Sequence, residues 1–317
     1  MRHPASPGRR RAGHGLVRSG PRGRRVASCA VNRPRGSAVT RLSDIALPDP
    51  PPAQPRARGA VTLACRAGPR GTALADLRQS GSLRLVFPRS RTAGMEAIVV
   101  NTAGGLTGGD RFSITAEAGA GSRLTLSTQA AERAYAAPPG PAARLSTRLD
   151  VARAARLAWL PQETILFDRS RFSRRTEVTL APDAALLFVE PVVFGRAAMG
   201  ERLRQAHFDD RLRVTRGGHE LFRDGVTLSG DVEAHLARPA IADGAGAMAL
   251  VLLVAPEAAA PLAPLRALLP ATGGASLLAE DVLCARILAP YGHTLRASLV
   301  PALTLLNRGP LPRCWMI

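Results

Sequence analysis

From residue 59 to about 230 apolar residues recur at every second position. Phe112-Ser-Ile114-Thr-Ala116, Leu124-Thr-Leu126, Leu145 through Val151 and Val178-Thr-Leu180 all alternate apolar with polar. Successive side chains of a strand point to opposite faces, so this spacing puts one apolar row against a core and one polar row in water. A helix would need the spacing of three and four instead. Short turns rich in Ala, Gly, Pro and Asp separate the runs. "ITAEAGAGSRLTLSTQ", "LDVARAARLAWLPQ" and "VTLAPDAALLFVEP" each read as strand, small-residue turn, strand, ending at Gln129, Gln162 and Glu190. This weak repeat suggests stacked β layers. Another hairpin is expected around Gly217-Gly218.

Beyond residue 230 the texture changes. Met248–Ala255 reads as a buried strand, Pro261–Leu269 as a short helix, and Ser276–Leu306 as one or two helices interrupted at Pro290 and Pro301. The expected fold is mainly β: a layered antiparallel or helical β-rich body at 59–317 with a small C-terminal α/β section and few helices. Residues 1–58 are different, with 13 Arg, only Asp44 and Asp49 as acids, and dense Pro and Gly. Such composition cannot bury enough apolar surface to offset chain entropy, so a disordered arm is expected. It is either a basic tail for RNA or lipid headgroups or an artefact of the start site in a GC-rich gene, and the second reading is preferred.

Several activities are excluded by what the chain lacks. It contains no lysine, which removes a lysine Schiff base and a P-loop lysine. Cys29, Cys65, Cys284 and Cys314 form no CxxC pair, so neither a zinc site nor a disulfide framework is indicated. His207, His219, His235 and His293 have no i, i+4 spacing, and no GxSxG elbow occurs. Arg24-Arg25 precede no apolar run and no stretch of 18 apolar residues exists, so a cytoplasmic protein is expected.

Three stretches stand out. "NTAGGLTGGDRF" (101–112) places Gly104, Gly105, Gly108 and Gly109 before Asp110. A dinucleotide fingerprint needs a different glycine spacing and a following helix, whereas Arg111–Glu117 alternate like a strand. The stretch is either a glycine-rich sheet corner or a surface where metal or another chain approaches the backbone, with Asp110 capping the turn or facing a solvent channel. In "WLPQETILFDRS" (159–170), Pro161 breaks the ladder and Glu163 sits among apolar neighbours, as a salt-bridge partner for an Arg or as a buried group awaiting a ligand. In "FVEPVVFGRAAMGE" (188–201), Glu190 precedes a proline, Gly195-Arg196 marks a turn and Glu201 closes a small-residue segment. An ion pair of Arg196 or Arg202 with a glutamate accounts for these residues singly.

In this order, the stretches resemble the urease accessory protein UreD (UreH) family. The matching blocks are "GTALADLRQSGSLRLVFPR" (71–89), "NTAGGLTGGDRFSI" (101–114), "STQAAERAY" (127–135), "WLPQETILFD" (159–168), "VEPVVFGRAAMGE" (189–201) and "LPRCWMI" (311–317). One departure is Ala136-Ala137, where the family commonly carries arginine after the ERAY block. The resemblance implies a β-rich, non-enzymatic scaffold that binds apo-urease and, through UreF, the GTPase UreG. It also implies transient passage of Ni²⁺ to the urease active site with no permanently bound cofactor. Asp110, Glu163, Glu190 and Glu201 are the carboxylates inside the matching blocks and are expected to line that passage. Gly104, Gly105, Gly108, Gly109, Tyr135 and Arg196 are expected at a partner interface. The alternative is a nucleic-acid-binding protein, motivated by the arginine excess; the few aromatics lie in apolar strands, which argues against it.

Overall fold

The computed structural model describes residues 55–89 and 93–316. The expectation of a disordered arm therefore lies outside the described residues, apart from positions 55–58. The chain runs through β1 (Arg58–Gly68), β2 (Gly71–Gly81), β3 (Leu83–Val86), β4 (Met95–Asn101), β5 (Arg111–Ala118), β6 (Arg123–Thr128) and β7 (Glu132–Ala134). It continues through β8 (Ala143–Val151), β9 (Arg156–Leu160), β10 (Thr164–Leu166), β11 (Arg171–Leu180), β12 (Ala185–Phe194), β13 (Ala206–Arg216) and β14 (His219–Gly230). A short helix α1 (Val232–Leu236), β15 (Ala247–Val254), α2 (Leu262–Leu268), β16 (Gly273–Ala279), β17 (Val282–Ala289) and α3 (Gly292–Asn307) follow.

Two sheets face each other. The first has the order β14-β13-β11-β8-β5-β1-β2, and the second β16-β17-β15-β12-β9-β6-β4-β3, with β10 and β7 attached to its side. Strands at both centres are parallel: β1, β5, β8, β11 and β13 in the first sheet, and β4, β6, β9 and β12 in the second. From β4 to β13 the chain alternates between sheets, so it winds as a helix of β rungs. The repeated strand-turn-strand units are thus not hairpins. β5 and β6, β8 and β9, and β11 and β12 each belong to different sheets, and the small residues between them form the narrow corner of the winding. Antiparallel pairs close the ends, including the hairpin of β13 and β14 around Gly217-Gly218.

Burial explains the two textures of strand. In the first sheet, β11 alternates Phe172, Arg174, Thr176, Val178 and Leu180 inward with exposed partners, because its outer face meets water. β12 and β15 are buried along nearly their whole lengths, because the second sheet is covered twice. Its inner row (Leu157, Leu186, Phe188, Val192, Leu252) packs against the first sheet, and its outer row (Leu160, Leu187, Val189, Val251, Leu253) packs under Leu265 of α2 and Leu295, Leu299 and Leu303 of α3.

One expectation is corrected. Residues 276–289 are not helical but form β16 and β17, and only Gly292–Asn307 is a helix. β15 has an open edge, and β17 pairs along it in full register from Ala247↔Ala289 to Val254↔Val282. Satisfying that buried ladder outweighs local helix propensity. Pro290 ends the strand, whereas Pro301 is accommodated inside α3.

Candidate functional site

Four of the quoted stretches meet at the wide corner of the winding. Leu106 bridges to Ala134 in β7, β7 pairs in parallel with β10, and β10 pairs with the last residues of β12. Leu106, Ala134, Leu166 and Phe194 thereby stand in one line across four rungs. The backbone continues the ladder: Leu106 N–H donates to Arg133 O, Tyr135 N–H to Leu106 O, Phe167 N–H to Ala134 O and Gly195 N–H to Leu166 O. Pro161, which has no N–H, falls in the gap between β9 and β10 where the chain turns from the main sheet into this corner.

Outward from the ladder the side chains stack. Tyr135 lies on Gly105, and its hydroxyl donates to Gly104 O at 3.1 Å. Phe167 meets Tyr135 edge to face with centroids 4.9 Å apart. The Arg196 guanidinium sits 4.1 Å above the Phe167 ring and pairs with both Glu201 oxygens, at 2.9 and 3.0 Å. Gly105 has φ +149° and is buried; a Cβ there would lie 2.3 Å from Tyr135 Cε2 and 2.8 Å from Arg133 O. The glycine is therefore required both by backbone conformation and by the ring resting on it. Gly108 is packed against Ala137 and Pro141 O, and Gly109 against the Arg56 side chain.

The predicted carboxylates occupy separate environments. Asp110 is buried and caps the glycine corner, accepting from Thr107 N–H and Ala57 N–H, both at 2.8 Å. Glu163 lies 3.8 Å from Arg296 of α3. Glu201 is half-buried, held below the usual carboxylate range by its hydrogen bonds from Arg196, and also accepts from Asp168 N–H at 3.3 Å. Arg202 pairs instead with Glu233. Glu190 belongs to none of this: it projects from the inner row of β12 into the space between the sheets, 4 % exposed.

There it belongs to a buried polar cluster. Arg174 of β11 donates to Asp210 of β13 at 2.9 Å and lies 3.1 Å from Glu190. Thr176 Oγ1 donates to Glu190 Oε1 at 3.0 Å and Trp159 Nε1 donates to the same oxygen at 3.4 Å. Two carboxylates share one guanidinium in an apolar core, and burial pushes the Glu190 carboxyl up to about 7. Sequence reasoning missed Arg174 and Asp210. A glutamate inside the apolar run 186–193 signals that a partner must exist, yet the partner lies on another rung and no local spacing points to it. Glu132 was also missed. It accepts from Asn101 Nδ2 at 3.2 Å under the glycine corner, and burial raises its pKa.

The sixth quoted block is the tail. Trp315, 2 % exposed, donates from Nε1 to Leu160 O at 2.8 Å, and Arg296 donates to Trp315 O at 2.7 Å and to Gln162 Oε1 at 2.7 Å. The tail is thus tied to the same rung that carries Glu163.

Among the described residues no group of three or more His, Cys, Asp or Glu could hold a metal ion, and no helix is long and apolar enough to cross a membrane. Fold and site define a helically wound, two-sheet β protein whose wide corner presents a stacked row of backbone, aromatic and arginine groups. A family model described as UreD urease accessory protein matches residues 56–316, and the chain belongs to that family. It is 53% identical over 246 residues to the urease accessory protein UreD of Ruegeria pomeroyi, covering 78% of this chain and 96% of that one. To the UreD of Ruegeria sp. (strain TM1040) it is 51% identical over 272 residues, covering 83% and 91%. To UreD 1 of Bradyrhizobium sp. (strain ORS 278) it is 47% identical over 263 residues, covering 82% and 94%. The chain is a urease accessory protein.

Proposed function

We propose that this chain acts in the cytoplasm as a non-catalytic scaffold of urease maturation, binding apo-urease and the UreF and UreG proteins and helping Ni²⁺ reach the urease active site. The observation that carries the reading is the wide corner, where four family blocks from distant parts of the chain form one continuous ladder with Tyr135, Phe167 and Arg196 stacked along it. Aromatic and arginine side chains held rigidly in a row suit a protein interface. Nickel is cargo in this reading. Carboxylates dispersed over the fold suit weak, successive contacts with a moving divalent ion better than a closed cage would. Asp110, Glu163, Glu190 and Glu201 are assigned that role, Glu190 inside the body and the others at the corner.

The test is urease activity and bound nickel in cells making the urease subunits and the other accessory proteins, with this chain, without it, or with Asp110→Asn, Glu163→Gln, Glu190→Gln and Glu201→Gln together. Activity and nickel should require the chain and fall with the fourfold variant. Unchanged nickel with that variant, at equal protein level, returns the four carboxylates to structural roles. No dependence on the chain at all overturns the scaffold reading.

A further inference from the structure

A second surface lies away from the wide corner. A cleft of about 920 Å³ opens between the starts of β4, β6, β9 and β12 and the segment that follows α3. Its floor is apolar, with Ala185 and Pro310 accessible above the buried Ala158 and Leu311, and its walls carry Arg89, Arg123, Arg156, Arg308 and Arg313 against Glu96 and Asp183.

The charges there are not balanced. Asp183 faces Arg153, and Arg313 is the charge nearest in effect to Glu96. Arg156 and Arg308 share the single carboxylate of Glu257, at 3.7 and 2.8 Å. Arg123 has no acidic partner among the described residues, and it stands directly beside Arg156 as its register partner in adjacent parallel strands. Like charges paired across neighbouring strands destabilise a sheet. The crowding shows in Arg156, whose pKa is lowered first by burial and then by Arg308 and Arg123, with Glu257 opposing. At the lip, Arg308 ends α3 in the left-handed region with φ 54°, a conformation more natural to glycine or asparagine.

We propose that this cleft docks an acidic, extended segment of a protein partner, its carboxylates received by Arg123, Arg156 and Arg308 and its apolar side chains laid on Ala185 and Pro310. Charge complementarity selects the occupant. Residues 1–54 of this chain carry 11 Arg and 2 Asp, the wrong sign to fill the cleft. No aromatic residue lines it for base stacking. A single inorganic anion would leave most of the volume and the whole apolar floor unused.

The experiment uses the full chain and a fluorescein-labelled octapeptide of alternating glutamate and leucine bearing a benzophenone. Anisotropy gives the affinity, and cross-links mapped by mass spectrometry give the place. Arg123→Gln with Arg308→Gln should weaken binding about tenfold or more. Arg175→Gln with Arg213→Gln, on the outer face of the first sheet, should leave it within about twofold of the parent. Cross-links should fall on the segments around Ala185 and Pro310. Cross-links confined to residues 1–54, equal losses in the two double variants, or unchanged affinity in the first would each overturn the proposal. Displacement of the peptide by an oligonucleotide at equal concentration would replace it with a nucleic-acid site.

Discussion

Glu190→Gln should abolish a pH dependence of stability that the parent shows between pH 5 and 8. In the folded protein burial pushes the Glu190 carboxyl from 4.5 to about 7. Between those values the folded state keeps a proton that the unfolded chain has released. A raised carboxylate pKa therefore favours folding in acid, and the advantage is lost as pH rises through the folded value. The full difference corresponds to about 3 kcal/mol. For a domain of this size that is a fall in Tm of roughly 5 °C from pH 5 to pH 8. Glutamine copies the shape of the protonated acid and still accepts from Thr176 and Trp159, so the variant should match the parent near pH 5 and exceed it at pH 8. The assay is thermal unfolding of both proteins at half-unit pH steps. Taking the difference between them cancels the titrating groups that lie away from Glu190, including Glu132 and Glu96. A flat difference curve would refute the view that Glu190 is buried with an inadequate share of Arg174.

Arg174→Leu leaves Glu190 and Asp210 facing each other without their shared cation and should cost about 3–5 kcal/mol in urea unfolding, partly recovered by adding Asp210→Asn. Gly105→Ala meets Tyr135 and Arg133 O at once and should destabilise by about 2 kcal/mol or more, with Tyr135 fluorescence reporting the displaced ring. Trp315→Ala empties a buried site beneath the second sheet and should cost about 3–5 kcal/mol. It should also expose the tail to carboxypeptidase.

Much of this molecule is determined locally by its sequence. Alternation specifies which residues are strands and which faces are wet, and the doubly apolar runs at 186–193 and 247–254 mark strands covered on both sides. The glycines of 104–109 mark a corner because three of them, Gly104, Gly105 and Gly109, take positive φ. The ion-pair reading of Glu201 is legible in the same way, since Arg196 lies five residues before it, whereas the Arg that meets Glu163 comes from α3. Tertiary structure alone decided the rest. Parallel pairing joins residues such as Leu126 and Trp159 across a whole turn of the winding, so no short window contains both partners. The same long return brings Arg174 to Glu190, stacks Tyr135, Phe167 and Arg196, and turns 276–289 into a hairpin because β15 offers an unfilled edge. Local spacing states what a residue's face must be; only the closed winding states whom that face meets, because the hydrogen bonds and charges it satisfies come from other rungs.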